Sequence, residues 1–127
     1  MKTIWIFTML LSLFFLAAMT PEEKAKLENL VSEISENIKA HPKETSLYIE
    51  LGFAYSKLGK VDKAQAAFEK ARLLNPKKAI VHYMLGLIYE KKELKKQAIA
   101  SWKKCLETAT KKDIKETAIK HIKLLSE

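Results

Sequence analysis

One cysteine, three glycines, three prolines and a single arginine occur in 127 residues. The lone Cys105 excludes an intramolecular disulfide, so packing alone holds the fold. So few turn-formers argue against a many-stranded β fold and suit helices joined by short loops. Arg72 stands alone within a lysine-dominated excess of 23 basic over 15 acidic residues, a net +8. Base-edge and bidentate phosphate recognition favour arginine, so this charge does not point to specific nucleic-acid binding. It leaves open a non-specific attraction to anionic surfaces. No glycine-rich phosphate loop is present, since Gly52, Gly59 and Gly86 are scattered. His41, His82 and His121 do not recur at metal-ligand spacing, and there is no HExxH or CxxC. The carboxylates sit beside lysines, as on solvated helix faces. The reading is therefore a non-enzyme with no metal and no cofactor. With 48% hydrophobic and 30% charged residues, the chain has the material for one folded domain.

The first eighteen residues have a different character. Lys2 precedes an apolar run from Ile4 to Leu16, broken only by Thr8 and Ser12, and small residues Ala17 and Ala18 follow. This is the layout of a secretory signal peptide, with cleavage expected near Ala18. An uncleaved anchor is the alternative, in which case this segment alone touches a membrane. Leu16-Ala17-Ala18 also resembles the residues before the lipidated cysteine of bacterial lipoproteins, but Met19 stands where the thiol is needed. A third reading makes Met19 an internal start. The expectation is an exported protein, periplasmic or anchored facing the periplasm, with residues 20–127 as its domain.

From Thr20 onward the pattern is helical. Thr20 as N-cap, Pro21 in the first turn and the acidic Glu22 and Glu23 open a helix to Ala40 with the stripe Leu27, Leu30, Val31, Ile34 and Ile38. Pro42 ends it. A second helix, Glu44 to Leu58, is broken by Gly59. Asp62 is expected to cap a third, with inner face Ala64, Ala67, Phe68, Ala71 and Leu74, closed by Asn75-Pro76. Helices over Ala79 to Lys92, Lys96 to Ala109 and, capped by Asp113, up to Ser126 complete a set of six.

The two middle units share a period. Tyr48, Leu51, Gly52, Tyr55, Ala64, Phe68 and Ala71 lie 34 residues before His82, Leu85, Gly86, Tyr89, Ala98, Trp102 and Cys105. Gly52 and Gly86 let the helices of each hairpin approach closely, against Ala64 and Ala98. The rings of Tyr55 with Phe68, and of Tyr89 with Trp102, are expected to fill the space between hairpins. His82 and Cys105 fall on core positions, so His82 reads as structural and Cys105 as a buried, inert thiol.

At these residues the chain resembles the tetratricopeptide repeat (TPR), a 34-residue helix-turn-helix. Thr45 to Lys78 matches its eight signature positions: Tyr48, Leu51, Gly52, Tyr55, Ala64, Phe68, Ala71 and Pro76. Ala79 to Lys112 keeps seven if His82 is admitted, with Thr110 in place of proline. The resemblance implies an all-α fold, an α-solenoid of two TPR hairpins with an N-terminal and a C-terminal capping helix (the last over 113–126). The first helix, ending in His41-Pro42, looks like a degenerate half-repeat.

The family lines its concave side with the first helix of each hairpin. Carried over, the inward positions are Ser46, Ile49, Phe53, Ser56 and Lys57, then Ile80, Tyr83, Leu87, Glu90 and Lys91. On the last helix they are Ile114, Thr117, His121 and Leu124. Ile49, Phe53, Ile80, Tyr83 and Leu87 form an apolar set outside the signature core. They read either as a groove for a partner peptide or helix, or as a face covered by a cap helix or by neighbouring repeats. With Lys57 and Lys91 they are the candidate partner-binding residues. The clamp that chaperone-associated members use for acidic tails needs Lys and Asn where this chain has Ile49 and Phe53. The expected function is an extracytoplasmic adaptor that holds another protein or peptide. The alternatives are a homodimer pairing through the same face, and an anionic-surface binder working through a rim of Lys57, Lys60, Lys63, Lys91, Lys92, Lys95 and Lys96.

Overall fold

The computed structural model describes residues 18–127; the proposed signal segment lies outside these apart from Ala18. Among the described residues there are six helices and no strand: α1 (Pro21–Ala40), α2 (Thr45–Lys57), α3 (Val61–Leu74), α4 (Ala79–Lys91), α5 (Lys95–Thr108) and α6 (Lys112–Ser126). The most extensive contacts join α2 to α3 and α4 to α5, the two hairpins, with α1 laid on α2 and α6 on α5. None of these helices is long and apolar enough to cross a membrane.

Each boundary has a local cause. Thr20 closes a full capping box on α1: its hydroxyl accepts from the Glu23 N–H, and the Glu23 carboxylate accepts from the Thr20 N–H at 2.8 Å. That backbone bond, with the Thr20 hydroxyl, holds the Glu23 carboxyl below its ordinary value. Asp62 and Asp113 do not cap α3 and α6 as expected. Both helices begin two residues earlier than those caps require, at Val61 and Lys112, with Lys60 and Lys111 at the N-cap and no side-chain capping bond. The two aspartates lie in the first turns, where their charge complements the helix dipole. Asp62 instead accepts from the Lys92 ammonium at 2.8 Å, linking the two hairpins.

The hairpin turns repeat bond for bond. Lys60 N–H donates to the Tyr55 carbonyl (2.9 Å) and Gly59 N–H to that of Ser56 (3.1 Å). Leu94 N–H likewise donates to Tyr89 (2.8 Å) and Glu93 N–H to Glu90 (2.9 Å). This closure needs a left-handed residue at its corner. Gly59 supplies it in the first turn with φ 71°; in the second the position falls to Glu93, with φ 59°. A side chain with a Cβ is strained there. Glu93→Gly is therefore expected to stabilise the protein by about 0.5–1 kcal/mol, strain relief outweighing the added freedom of the unfolded chain. A thermal melt checks it.

The core sits inside and between the hairpins. Phe68, Leu85, Val81 and Trp102 are fully buried. A Cβ on Gly52 would stand 2.7 Å from the Phe68 ring, and one on Gly86 2.7 Å from the Trp102 indole, so both glycines are required by close approach. The ring pairs differ from the expected ones. Phe68 meets Phe53 edge-on at 5.4 Å, and Trp102 meets Tyr83 edge-on at 5.1 Å. Tyr55 and Tyr89 still pack at the core between the hairpins, but without ring pairing: Lys63 lies over the Tyr55 ring, and the buried Tyr89 donates its hydroxyl to Glu69 of the first hairpin at 2.6 Å.

The repeat also reaches back to the first helix. Tyr48 donates its hydroxyl to the Pro42 carbonyl (2.8 Å), and His82 Nε2 donates to the Pro76 carbonyl (2.6 Å), two side-chain tethers one period apart. Histidine thus replaces tyrosine while keeping the bond that fixes the exit of the preceding helix.

Candidate functional site

The seven candidate groove residues come from the first helix of each hairpin. On α2, Ile49 and Phe53 are one turn apart and half-buried against the core that contains Phe68 and Leu85. On α4, Tyr83 and Leu87 are likewise one turn apart and half-buried, packed on the cluster of Trp102, Cys105 and Ala118. Ile80 is 37% exposed, and Lys57 and Lys91 are exposed. The structure thus gives Phe53 and Tyr83 a dual position. Each braces a buried ring with part of its surface and leaves the rest uncovered.

A polar cluster bounds the second row. Glu90 accepts from the Trp102 indole N–H at 3.0 Å and from His121 Nδ1 at 2.9 Å, and the His121 ring stacks on Trp102 at 4.2 Å. A carboxylate only accepts, so Nδ1 carries the proton. Two inward positions of the sequence reading, Glu90 and His121, therefore engage each other. Leu125 from the same helix touches both core clusters. The C-terminal helix thus covers part of this face and fixes its end. The signal for the cluster was the buried tryptophan, whose N–H needs an acceptor.

The lysine rim is partly engaged within the fold. Lys92 bonds Asp62 and Gln65, both at 2.8 Å, and Lys63 lies over Tyr55. Among the described residues no group of three or more His, Cys, Asp or Glu is placed to hold a metal. Burial pushes the Cys105 thiol up from its usual value, disfavouring the reactive thiolate. Cys105 is fully buried, so a bulky thiol reagent is expected to label it only on unfolding. Burial, then the bond to Glu69, pushes the Tyr89 phenol up to about 12.

Residues 46–78 and 79–112 each match the sequence pattern of the tetratricopeptide repeat. The chain belongs to the tetratricopeptide repeat family. Solved TPR structures share its architecture. The Arabidopsis OM64 TPR domain superposes with a TM-score of 0.70 at 19% identity, covering 81% of this chain and 85% of that one. The thermophilic TPR protein TTC0263 of Thermus thermophilus gives 0.71 at 25% identity; the match covers 86% of this chain and 57% of that longer one. The first TPR of Spaghetti (RPAP3), bound to the HSP90 peptide SRMEEVD, gives 0.70 at 17%, covering 83% and 84%. No curated protein matches the sequence.

Proposed function

We propose that this TPR protein is a non-catalytic adaptor that holds a segment of another polypeptide against the first-helix face of its two hairpins. The observation that carries the reading is the apolar set itself. Ile49, Phe53, Tyr83 and Leu87 are only half-buried although each packs on a core cluster, and Ile80 is exposed. Apolar surface left at the edge of a core is where a partner gains most from burial, at roughly 25 cal/mol per Å². Support also comes from the fold, which in the Spaghetti domain holds a peptide. That peptide is acidic; Ile49 and Phe53 favour a partner segment with apolar anchors at helical spacing. The proposal places the protein outside the cytoplasm on the strength of Lys2, the run Ile4 to Leu16 and Ala17-Ala18. The N-terminal residue of the natural protein, read by mass spectrometry, tests that part.

Ile80→Glu tests the groove with little risk to the fold, because Ile80 is exposed. Co-purification of the partner with the tagged protein is expected to fall at least about tenfold, since a charge would be buried without a partner. Unchanged recovery from a variant of unchanged melting temperature sinks the groove. Sedimentation at several concentrations runs alongside. A mass that rises with concentration in the parent protein, and not in Ile80→Glu, identifies the partner as a second copy of the chain.

A further inference from the structure

On the side of the second helices, a cavity of about 520 Å³ opens between the hairpins, lined by residues of α3, α4, α5 and the Pro76-Lys77 turn. Its volume falls in the range of small-ligand sites. The only arginine of the chain, Arg72, lies at this cavity with Lys77 and Lys104. Glu107 is the one carboxylate in the lining and is paired to Lys104 at 2.7 Å, so the walls keep a net positive charge. The Asn75 side chain accepts from the Lys77 N–H at 3.1 Å and holds the turn that carries this lysine.

Comparison of the two repeats shows what is particular here. The matching surface of the first repeat is a smaller cavity of about 340 Å³, lined by Tyr48, Ala66, Ala67 and Lys70 among others. Its Lys63 and Lys70 rest over the rings of Tyr55 and Tyr48. One period on, Ala66 and Lys70 recur as Ala100 and Lys104, but Tyr48 becomes His82 and Ala67 becomes Ser101. His82 keeps its Nε2 on the Pro76 carbonyl, so the change to Ser101 is the one that adds a polar group at the cavity; both residues are buried, at 3% and 7% exposure. Among the described residues no sealed side-chain polar atom lacks a partner, so the Ser101 hydroxyl is no orphan, and it lies in the lining of the cavity. Arg72 supplies a planar fork suited to carboxylate or phosphate, and Pro76 and Ala100 supply apolar wall.

We infer that this cavity is a recognition site for an oxyanion carried on a small apolar body, with Arg72 as its principal contact, Lys77 and Lys104 as supporting charge and Ser101 as a hydroxyl donor. The site is separate from the first-helix groove and independent of the adaptor reading. Benzoate, phenyl phosphate and neutral benzamide are the probes, titrated into the full chain with the amide signals of His82 and Ser101 followed by NMR. At least one of the two anions is expected to shift both signals saturably, and the tighter one assigns the head group. Benzamide is expected to leave them in place. Arg72→Ala, at an exposed position that should spare the fold, is expected to weaken binding about tenfold or more; Lys77→Ala is expected to weaken it less. Equal shifts with benzamide, no saturable shift with either anion, or full binding by an Arg72→Ala protein of unchanged melting temperature would each overturn the site.

Discussion

Trp102→Ala is expected to lower the unfolding free energy by about 3–5 kcal/mol, a drop in melting temperature on the order of 12 °C or more for a domain of this size. Three losses coincide. The indole is fully buried, so its removal leaves a cavity where the second hairpin meets α6. Glu90 loses a donor, and His121 loses the ring it stacks on. Small domains have only about 5–15 kcal/mol of stability in all, so this single truncation approaches global unfolding. Trp102→Phe separates the terms. It removes the N–H and part of the ring while keeping much of the packing, so an intermediate loss of about 1–3 kcal/mol is expected. Chemical denaturation followed by circular dichroism measures both. A loss under about 1 kcal/mol for the alanine variant would mean that the α5–α6 contact is not as described.

The second large effect runs against helix propensity. Glycine to alanine in a helix interior ordinarily stabilises by about 1 kcal/mol. At Gly86 the sign should reverse. The new methyl would stand 2.7 Å from the Trp102 indole, which is buried on all sides and has no room to retreat. Overpacking of this kind costs about 1–3 kcal/mol, so Gly86→Ala should destabilise on balance. Gly52→Ala repeats the conflict with the Phe68 ring. The strain is specific to a pair, so it should be relieved by shrinking the ring. In a double-mutant cycle, Gly86→Ala should cost less in a Trp102→Phe background than alone, with a coupling of at least about 0.5 kcal/mol. Additive effects would show that the glycine is needed for some other reason.

These effects bear on what the sequence can tell. The period of 34, the need for close approach at Gly52 and Gly86 and most of the stripe on α1 are legible as local patterns, but the glycines meet the Phe68 and Trp102 rings rather than Ala64 and Ala98, and Leu30 of the stripe is exposed. The tether from His82 to Pro76 is half legible: the period marks His82 as a core residue, but the carbonyl it serves lies in a turn whose geometry no spacing reveals. The aspartate caps mislead because residue preference at a helix start says nothing of the preceding turn. The Gly59 and Glu93 corners deliver the chain directly into α3 and α5, and the N-cap falls to whichever residue follows; Lys60 is one such. The paired rings go astray for a similar reason. Phe53 and Tyr55 both pack on the cluster that contains Phe68, and which of them pairs with its ring depends on the packed geometry of α2 on α3, which residue spacing does not reveal. Glu90, Trp102 and His121 come from three helices, so only the stacked structure brings them together.

The groove residues are ordinary apolar side chains, and their meaning depends on what covers them. A photo-crosslinking amino acid placed at Ile80 in the native host, with Leu73 on α3 as the control position, addresses this directly, since both side chains are exposed and only Ile80 is on the first-helix face. An adaptor groove predicts a discrete polypeptide adduct from position 80 and none from position 73. The absence of any adduct at 80, or the same adducts from both positions, would contradict it.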